Sequence, residues 1–238
     1  MTFDPPPDNP WDTDRPVFNS KNGFGDQALG YGHMVDVASV RLAWASLGWT
    51  FANNLLGFYL NNRQDGQSYQ MTSDEMSMVL NASPIVGVDD PNLKYSTYDG
   101  QKVVDTSVQV IVRTARERCL DNPREFEYPI SARTDWIPTR KIIDGPLGGN
   151  LGNALGGFHM GVSGEVVVHR PRGGQPMSYE AQYVVYVYDQ YFFHGTAKGQ
   201  GWLSEEMDRK MRFLEEAGFA RSFTTRGTAP VQTKQGVC

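Results

Sequence analysis

The chain has 238 residues, 39% apolar and 21% charged, with a net charge of −5 and a pI near 5.4. Such a length buries a core as one domain or two closely packed ones, and the composition is that of an ordinary soluble globular protein. An acidic balance without any Lys/Arg block argues against a nucleic-acid partner, and no Cys/His spacing marks a metal site.

Residues 1–32 read as an extended or disordered arm. Pro5, Pro6, Pro7, Pro10 and Pro16 remove donors and fix φ there. The acidic N-terminus lacks the basic and apolar regions of a signal peptide. Synthesis in the cytoplasm is therefore expected, with any export using a route that cleaves no leader. Cys119 lies in a helical pattern and Cys238 in a polar tail, so two unrelated thiols are expected, as in a reducing compartment.

Residues 33–122 read as helical. The most apolar stretch, Val35–Leu60, carries Arg41 as its only charge after Val37. One helix over residues 37–60 measures roughly 36 Å at 1.5 Å per residue, enough to cross a bilayer core. Asn53, Asn54 and two glycines suit a buried central helix of a soluble fold better than a permanent span. A toxin that inserts uses both states at different moments, with Trp44, Trp49, Phe51, Leu55, Leu56 and Phe58 as its membrane-inserting residues. Thr72-Ser-Asp-Glu75 is a capping box that opens a short helix to about Leu80. A loop follows over residues 83–100. From Lys102 to Leu120, the residues Val104, Val108, Ile111, Val112, Ala115 and Cys119 recur at helical spacing, the stripe of an amphipathic helix on the core.

Residues 123–157 read as a Gly/Pro-rich connection. Its glycines 145, 148, 149, 152, 156 and 157 precede no Gly-Lys-Ser/Thr, so a hinge is expected rather than a phosphate loop. Residues 158–230 form an antiparallel β region with one helix. Phe158–Arg170 and Ser178–Phe193 are a strand and its return, joined by a hairpin loop. Ser204 caps a helix lined by Leu203, Met207, Met211 and Leu214, with Gly218 just past its end. Phe219–Gly227 is the last strand, and 231–238 a disordered tail. The expected class is α+β: a helical N-terminal half around a central apolar helix, and a small antiparallel β region in the C-terminal half.

The richest chemistry stands at the end of the return strand, Asp189-Gln-Tyr-Phe-Phe-His194. With period 2, Tyr183, Val185, Val187, Asp189 and Tyr191 share one face. Asp189, Tyr191 and His194 are the candidate catalytic group, suited to general acid/base work. In the plainer reading Asp189 satisfies a turn N–H and Tyr191 is core. No Gly-x-Ser-x-Gly is present, neither cysteine has a nucleophile's setting, and no cofactor is implied.

Three stretches occur in order: Asn54 to Glu75, Gly149-Asn-Leu-Gly152 leading into Gly164, and Asp189-Gln-Tyr191 followed by Ala220 to Gly227. Together they resemble small secreted interbacterial toxins of the type VI effector kind. The third also resembles the catalytic end of colicin M-type bacteriocins, whose pattern is Asp-x-Tyr-Asp with a downstream His-Arg. Asp189 and Tyr191 match that pattern, Phe192 stands at the second aspartate, and the His-Arg is missing. The resemblance implies an antibacterial toxin delivered into rival bacteria and acting at the inner membrane or periplasm. It also implies a secretion machinery, a target-cell membrane and a cognate immunity protein as partners. Membrane permeabilisation or pore formation is the expected mechanism. The alternatives are a colicin M-like hydrolase of the lipid-linked peptidoglycan precursor, and a non-toxic structural or binding protein.

Overall fold

The computed structural model describes residues 3–4, 6, 27–61, 68–82, 100–122, 127–138, 149–155, 158–171, 173, 175–193 and 205–238. Their helices are α1 (Gln27–Ser46), α2 (Thr50–Asn61), α3 (Ser73–Asn81), α4 (Gly100–Asp121), α5 (Gly149–Ala154) and α6 (Glu205–Glu216). The strands are β1 (Tyr69–Gln70), β2 (Glu127–Arg133), β3 (Ile137–Pro138), β4 (His159–His169), β5 (Ser178–Tyr191), β6 (Phe223–Thr228) and β7 (Gln232–Val237). The α+β class expected from the sequence holds. The expected loop at 83–99, glycines 145, 148, 156 and 157, Ser204 and His194 lie outside the described residues.

A single seven-stranded sheet is built on the antiparallel pair β4–β5, in the order β1-β6-β5-β4-β2. Each of these two long strands shares its outer edge between two shorter ones set end to end. On β4, β3 pairs at His159–Met160 and β2 at Ser163–His169. On β5, β7 pairs at Ser178–Tyr183 and β6 at Tyr186–Tyr191. β1 lies parallel to β6, so the sheet is mixed.

The sheet is therefore larger than the small antiparallel region expected. β2 lies inside the presumed connection at 123–157, and it is hidden in sequence by Pro129, a residue that sheets admit at edges. β7 replaces the disordered tail expected at 231–238. Its residues are polar and alternate between half-buried and exposed, so backbone pairing to β5 and the Lys234–Asp105 ion pair (2.6 Å) hold it rather than apolar burial. The arm at 1–32 also contributes structure. Tyr186 donates its hydroxyl hydrogen to the Phe3 carbonyl, and Pro6 sits so close over Gly161 that a Cβ there has no room.

The expected central helix is two helices. α1 ends in a pair of bonds characteristic of a glycine-capped C-terminus: Gly48 N–H to Ala45 O (3.1 Å) and Trp49 N–H to Trp44 O (2.8 Å). Gly48 holds φ at +72°, the left-handed conformation that glycine adopts at low cost, and α2 starts at Thr50. The same arrangement closes α6, with Gly218 at φ +77° and Phe219 N–H bonded to Leu214 O at 2.8 Å. α2 sinks Phe51, Leu55, Leu56 and Tyr59 fully into the core.

Two local readings hold in detail. The capping box of α3 is complete: Glu75 N–H donates to Thr72 Oγ1 (3.2 Å), and Thr72 N–H to Glu75 Oε2 (2.9 Å). The six stripe residues of α4 are all buried, facing a sheet surface that includes Val166, Val168, Tyr179 and Ala181.

Two outcomes follow from this frame. Gly48→Ala is expected to cost about 1–2 kcal/mol in urea unfolding, since nothing crowds a Cβ there and only the left-handed φ is strained. Hydrogen bonding to Lys234 holds the Asp105 carboxyl below its ordinary range, and the same bond raises Lys234. Asp105 then contributes stability above its unfolded pKa, lost as pH falls through its lower folded value. Lys234 contributes below its own unfolded pKa, lost as pH rises through its higher folded value. Stability should thus fall below about pH 4 and above about pH 10. Lys234→Met should remove this share at neutral pH, worth under about 1 kcal/mol for a largely exposed pair.

Candidate functional site

The alternation of β5 brings Asp189 and Tyr191 to one face, as expected, and that face is interior. Asp189 is 2% exposed, Tyr191 6%, and Thr225, the partner of Asp189 on β6, 0%. The Tyr191 ring stacks on Phe223 at 5.0 Å and meets Phe193 and Tyr59 edge-on at 5.4 and 6.0 Å. Burial pushes its phenol far above the ordinary range, and the nearby Asp189 charge adds to the effect. A phenol so placed neither accepts a proton as a base nor attacks as a phenolate. Among the described residues its hydroxyl has no hydrogen-bond partner. His194 lies outside the described residues, so the third member of the expected group has no position here.

Two further polar groups converge on this region without a clear sequence signal. Tyr59, from the middle of α2, donates its hydroxyl hydrogen to the Met211 carbonyl at 2.8 Å. Glu215 is 1% exposed, and its carboxylate accepts from the N–H and the hydroxyl of Ser222, each at 2.8 Å. In sequence Glu215 is one acid among several on α6. Only the turn after Gly218, which folds Ser222 back onto the helix, makes it an anchor.

A further buried carboxylate is Glu75. Beyond its capping role, its Oε1 accepts from Asn54 Nδ2 (3.1 Å) and from the Tyr69 hydroxyl (2.7 Å). Burial, then the hydrogen bond to Glu75, raises the Tyr69 phenol. Asn53 accepts from Arg41 Nε at 3.1 Å, and the Arg41 guanidinium lies over Gly57, where a Cβ would stand 2.7 Å from it. The polar residues that interrupt the apolar segment therefore tie α2 to α1, α3 and β1.

The expected membrane-inserting residues are mostly core. Trp44, Phe51, Leu55 and Leu56 are fully buried, while Trp49 and Phe58 are half-buried. The exposed apolar groups are others: Tyr31 at 64%, Val35 at 66%, Leu42 at 73% and Leu47 at 48% in and just after α1, with Val110, Leu120, Val231 and Val237 elsewhere. Tyr31, Val35 and Leu42 fall on one side of α1, with exposed Ala38, Ser39, Ala45 and Ser46 between and beside them. No charge interrupts this side. The seven-residue step from Val35 to Leu42 was the sequence signal for it, masked by the apolar character of the whole stretch. Asp36 is turned toward Lys210 (2.8 Å), and α1 packs chiefly on α2 and α6. Edge contacts of His33 on Phe213 and Tyr31 on Phe219 complete the α1–α6 seam.

Among the described residues, no helix is long and apolar enough to cross a membrane, and no three His, Cys, Asp or Glu gather as metal ligands. No family model matches the chain, and neither a curated protein nor a solved structure matches it. The likeness to interbacterial toxins thus rests on the sequence stretches alone.

The orphaned Tyr191 hydroxyl yields a direct test. Tyr191→Phe removes a buried polar group without breaking a bond, so stability should stay level or rise by about 1 kcal/mol in denaturant titration. A loss larger than about 1 kcal/mol would mean that the hydroxyl has a partner and that the corner is a polar network.

Proposed function

We propose that this chain is an antibacterial toxin that acts at the bacterial envelope by disturbing the membrane, and that α1 is the element that first meets the bilayer. One observation carries the reading: the outward side of α1 is uncharged from Tyr31 to Ala45, about 21 Å at 1.5 Å per residue, with Tyr31, Val35, Ala38, Leu42 and Ala45 along it. Contiguous exposed apolar surface marks interaction sites on soluble proteins. Tyr31 stands at its start, a residue type favoured where an apolar body meets a polar boundary.

At its edges α1 is held by the Asp36–Lys210 pair, the Arg41–Asn53 bond and ring contacts, and in the core by the fully buried Val37 and Trp44. Its departure would uncover the apolar side of α2, with Phe51, Leu55 and Leu56 beneath, at about 25 cal/mol for each square ångström transferred from water to lipid. The membrane-active unit is then α1 with α2 following, two short helices instead of the single spanning helix expected. A cognate immunity protein and a secretion route belong to this proposal. The hydrolase alternative draws less support, because Asp189 and Tyr191 are packed among aromatic rings.

The test uses purified protein and dye-loaded vesicles of phosphatidylcholine, with and without phosphatidylglycerol. Release is expected from both, since α1 offers no basic residue on its outward side. Raising salt to about 1 M, where screening acts within about 3 Å, should leave it unchanged. Val35→Glu with Leu42→Glu should retain the helical spectrum and lower release by roughly tenfold or more, as each carboxylate must be desolvated. In bacteria, periplasmic expression should depolarise cells and survive Asp189→Ala. Intact wild-type protein that neither releases dye nor depolarises cells would overturn the proposal. Lysis abolished by Asp189→Ala would replace it with the hydrolase.

A further inference from the structure

Gly161 stands inside the central strand β4, a position where glycine marks the close approach of another chain segment. It pairs with Tyr186 on β5, and Tyr188 follows two residues on, so the three share the face of the sheet opposite α2. Pro6 of the N-terminal arm is buried over Gly161, and the Trp136 ring closes the slot from the side. A Cβ at Gly161 would collide with the Pro6 ring and stand 3.4 Å from the indole. Beside the slot the Tyr186 hydroxyl donates to the Phe3 carbonyl. Tyr188 lies 5.8 Å from the Trp136 ring and carries the Arg226 guanidinium 5.6 Å from its own centroid.

These contacts are the chemistry by which aromatic-lined surfaces read proline-rich peptides. A pyrrolidine ring fills a slot beside aromatic rings, and a backbone carbonyl accepts from a phenol. Neither contact depends on the arm being joined to this chain. Proline runs also lose little chain entropy on docking and carry no N–H that must be satisfied. Pro6 belongs to such a run in sequence, Pro5-Pro6-Pro7. The surface beneath is complete without the arm: Gly161 and Tyr186 pair within β4–β5, and Tyr186 pairs again with Thr228 on β6. Ser163, next along the same face, is buried, and its hydroxyl has no partner among the described residues. It offers a polar contact to a longer ligand.

We propose that Gly161, Tyr186, Tyr188 and Trp136 form a docking site for an extended proline-rich segment of a partner protein, held in the free chain by its own Phe3 and Pro6. The arm then acts as a tethered competitor. A tethered ligand works at an effective concentration on the order of millimolar, so only a better-fitting segment displaces it. The site lies across the sheet from the helices and does not rest on the membrane reading.

The probe is a synthetic peptide of residues 1–10, labelled with fluorescein at its C-terminus and followed by anisotropy against the full chain. Pro6→Asp in the full chain takes the arm off the slot, and this variant should bind the peptide at least about tenfold more tightly than the wild type does. Adding Gly161→Ala should abolish that binding, because its Cβ takes the place of the proline ring. With the arm displaced, that Cβ meets Trp136 at ordinary contact distance, so the sheet should stay intact. Adding Tyr186→Phe instead should weaken binding by roughly three- to tenfold, the share of one hydrogen bond. A peptide carrying Pro6→Asp should not bind. Pro6→Ala takes the place of Pro6→Asp if the latter fails to fold. Folded arm variants that take up no peptide, or binding that survives Gly161→Ala, would overturn the proposal. So would the unfolding of both arm variants, which would make the arm a fixed part of the core. A wild-type dimer that Pro6→Asp dissociates would overturn it as well, by making a second copy the partner.

Discussion

The constraint on which the structure depends is that β5 is covered on both faces over its second half. From Tyr183 to Asp189 every residue is buried, a continuous run in place of the alternation of a one-sided strand. One face requires the helices, whose Phe51, Leu55, Leu56 and Tyr59 fill the interior beside Tyr191 and Phe193. The other face carries Tyr186 and Tyr188, which meet Phe3, Trp136 and the Arg226 guanidinium. A seam this apolar on both sides leaves few placements for the remaining elements.

That constraint also accounts for the character of the buried acids. Glu75 and Glu215 each accept more than one hydrogen bond and each lie beside a change of chain direction, in the first turn of α3 and the last turn of α6. Carboxylates so enclosed are retained by their donors, since burying one without partners costs several kcal/mol. They fix angles between elements. α1, in contrast, has its ion pair at the rim and is apolar on two sides, with Val37 and Trp44 buried in the core and Tyr31, Val35 and Leu42 in water.

What was legible in the sequence was whatever carried a strong local signal. The α4 stripe, the Thr72–Glu75 box, the long strands around Val166 and Val185, and the glycine that ends α6 were all readable because periodicity or cap chemistry acts over a few residues. Elements held by distant partners were not. β2 has Pro129 as its third residue, and β7 consists of Gln, Thr, Lys, Gln and Gly before Val237. Each is a strand only because β4 or β5 offers it an edge. Gly48 was visible as a residue but not as a break, because apolar residues continue on both sides of it. The candidate catalytic pair shows the same boundary: period 2 put Asp189 and Tyr191 together correctly, while nothing within the strand told whether that face met water.

The division of each outer edge between two short strands bears on how the protein behaves when crowded. A long free strand edge is a template on which a second chain adds. Here the outermost rows are brief, and neither is a clean template. β2 lacks an N–H at Pro129, and β7 presents Gln, Thr and Lys side chains along its length. A core as rich in β-branched and aromatic residues as this one is prone to fibril formation once its strands are unpaired. The fold keeps those strands central and gives its margins to sequence that adds a second chain poorly.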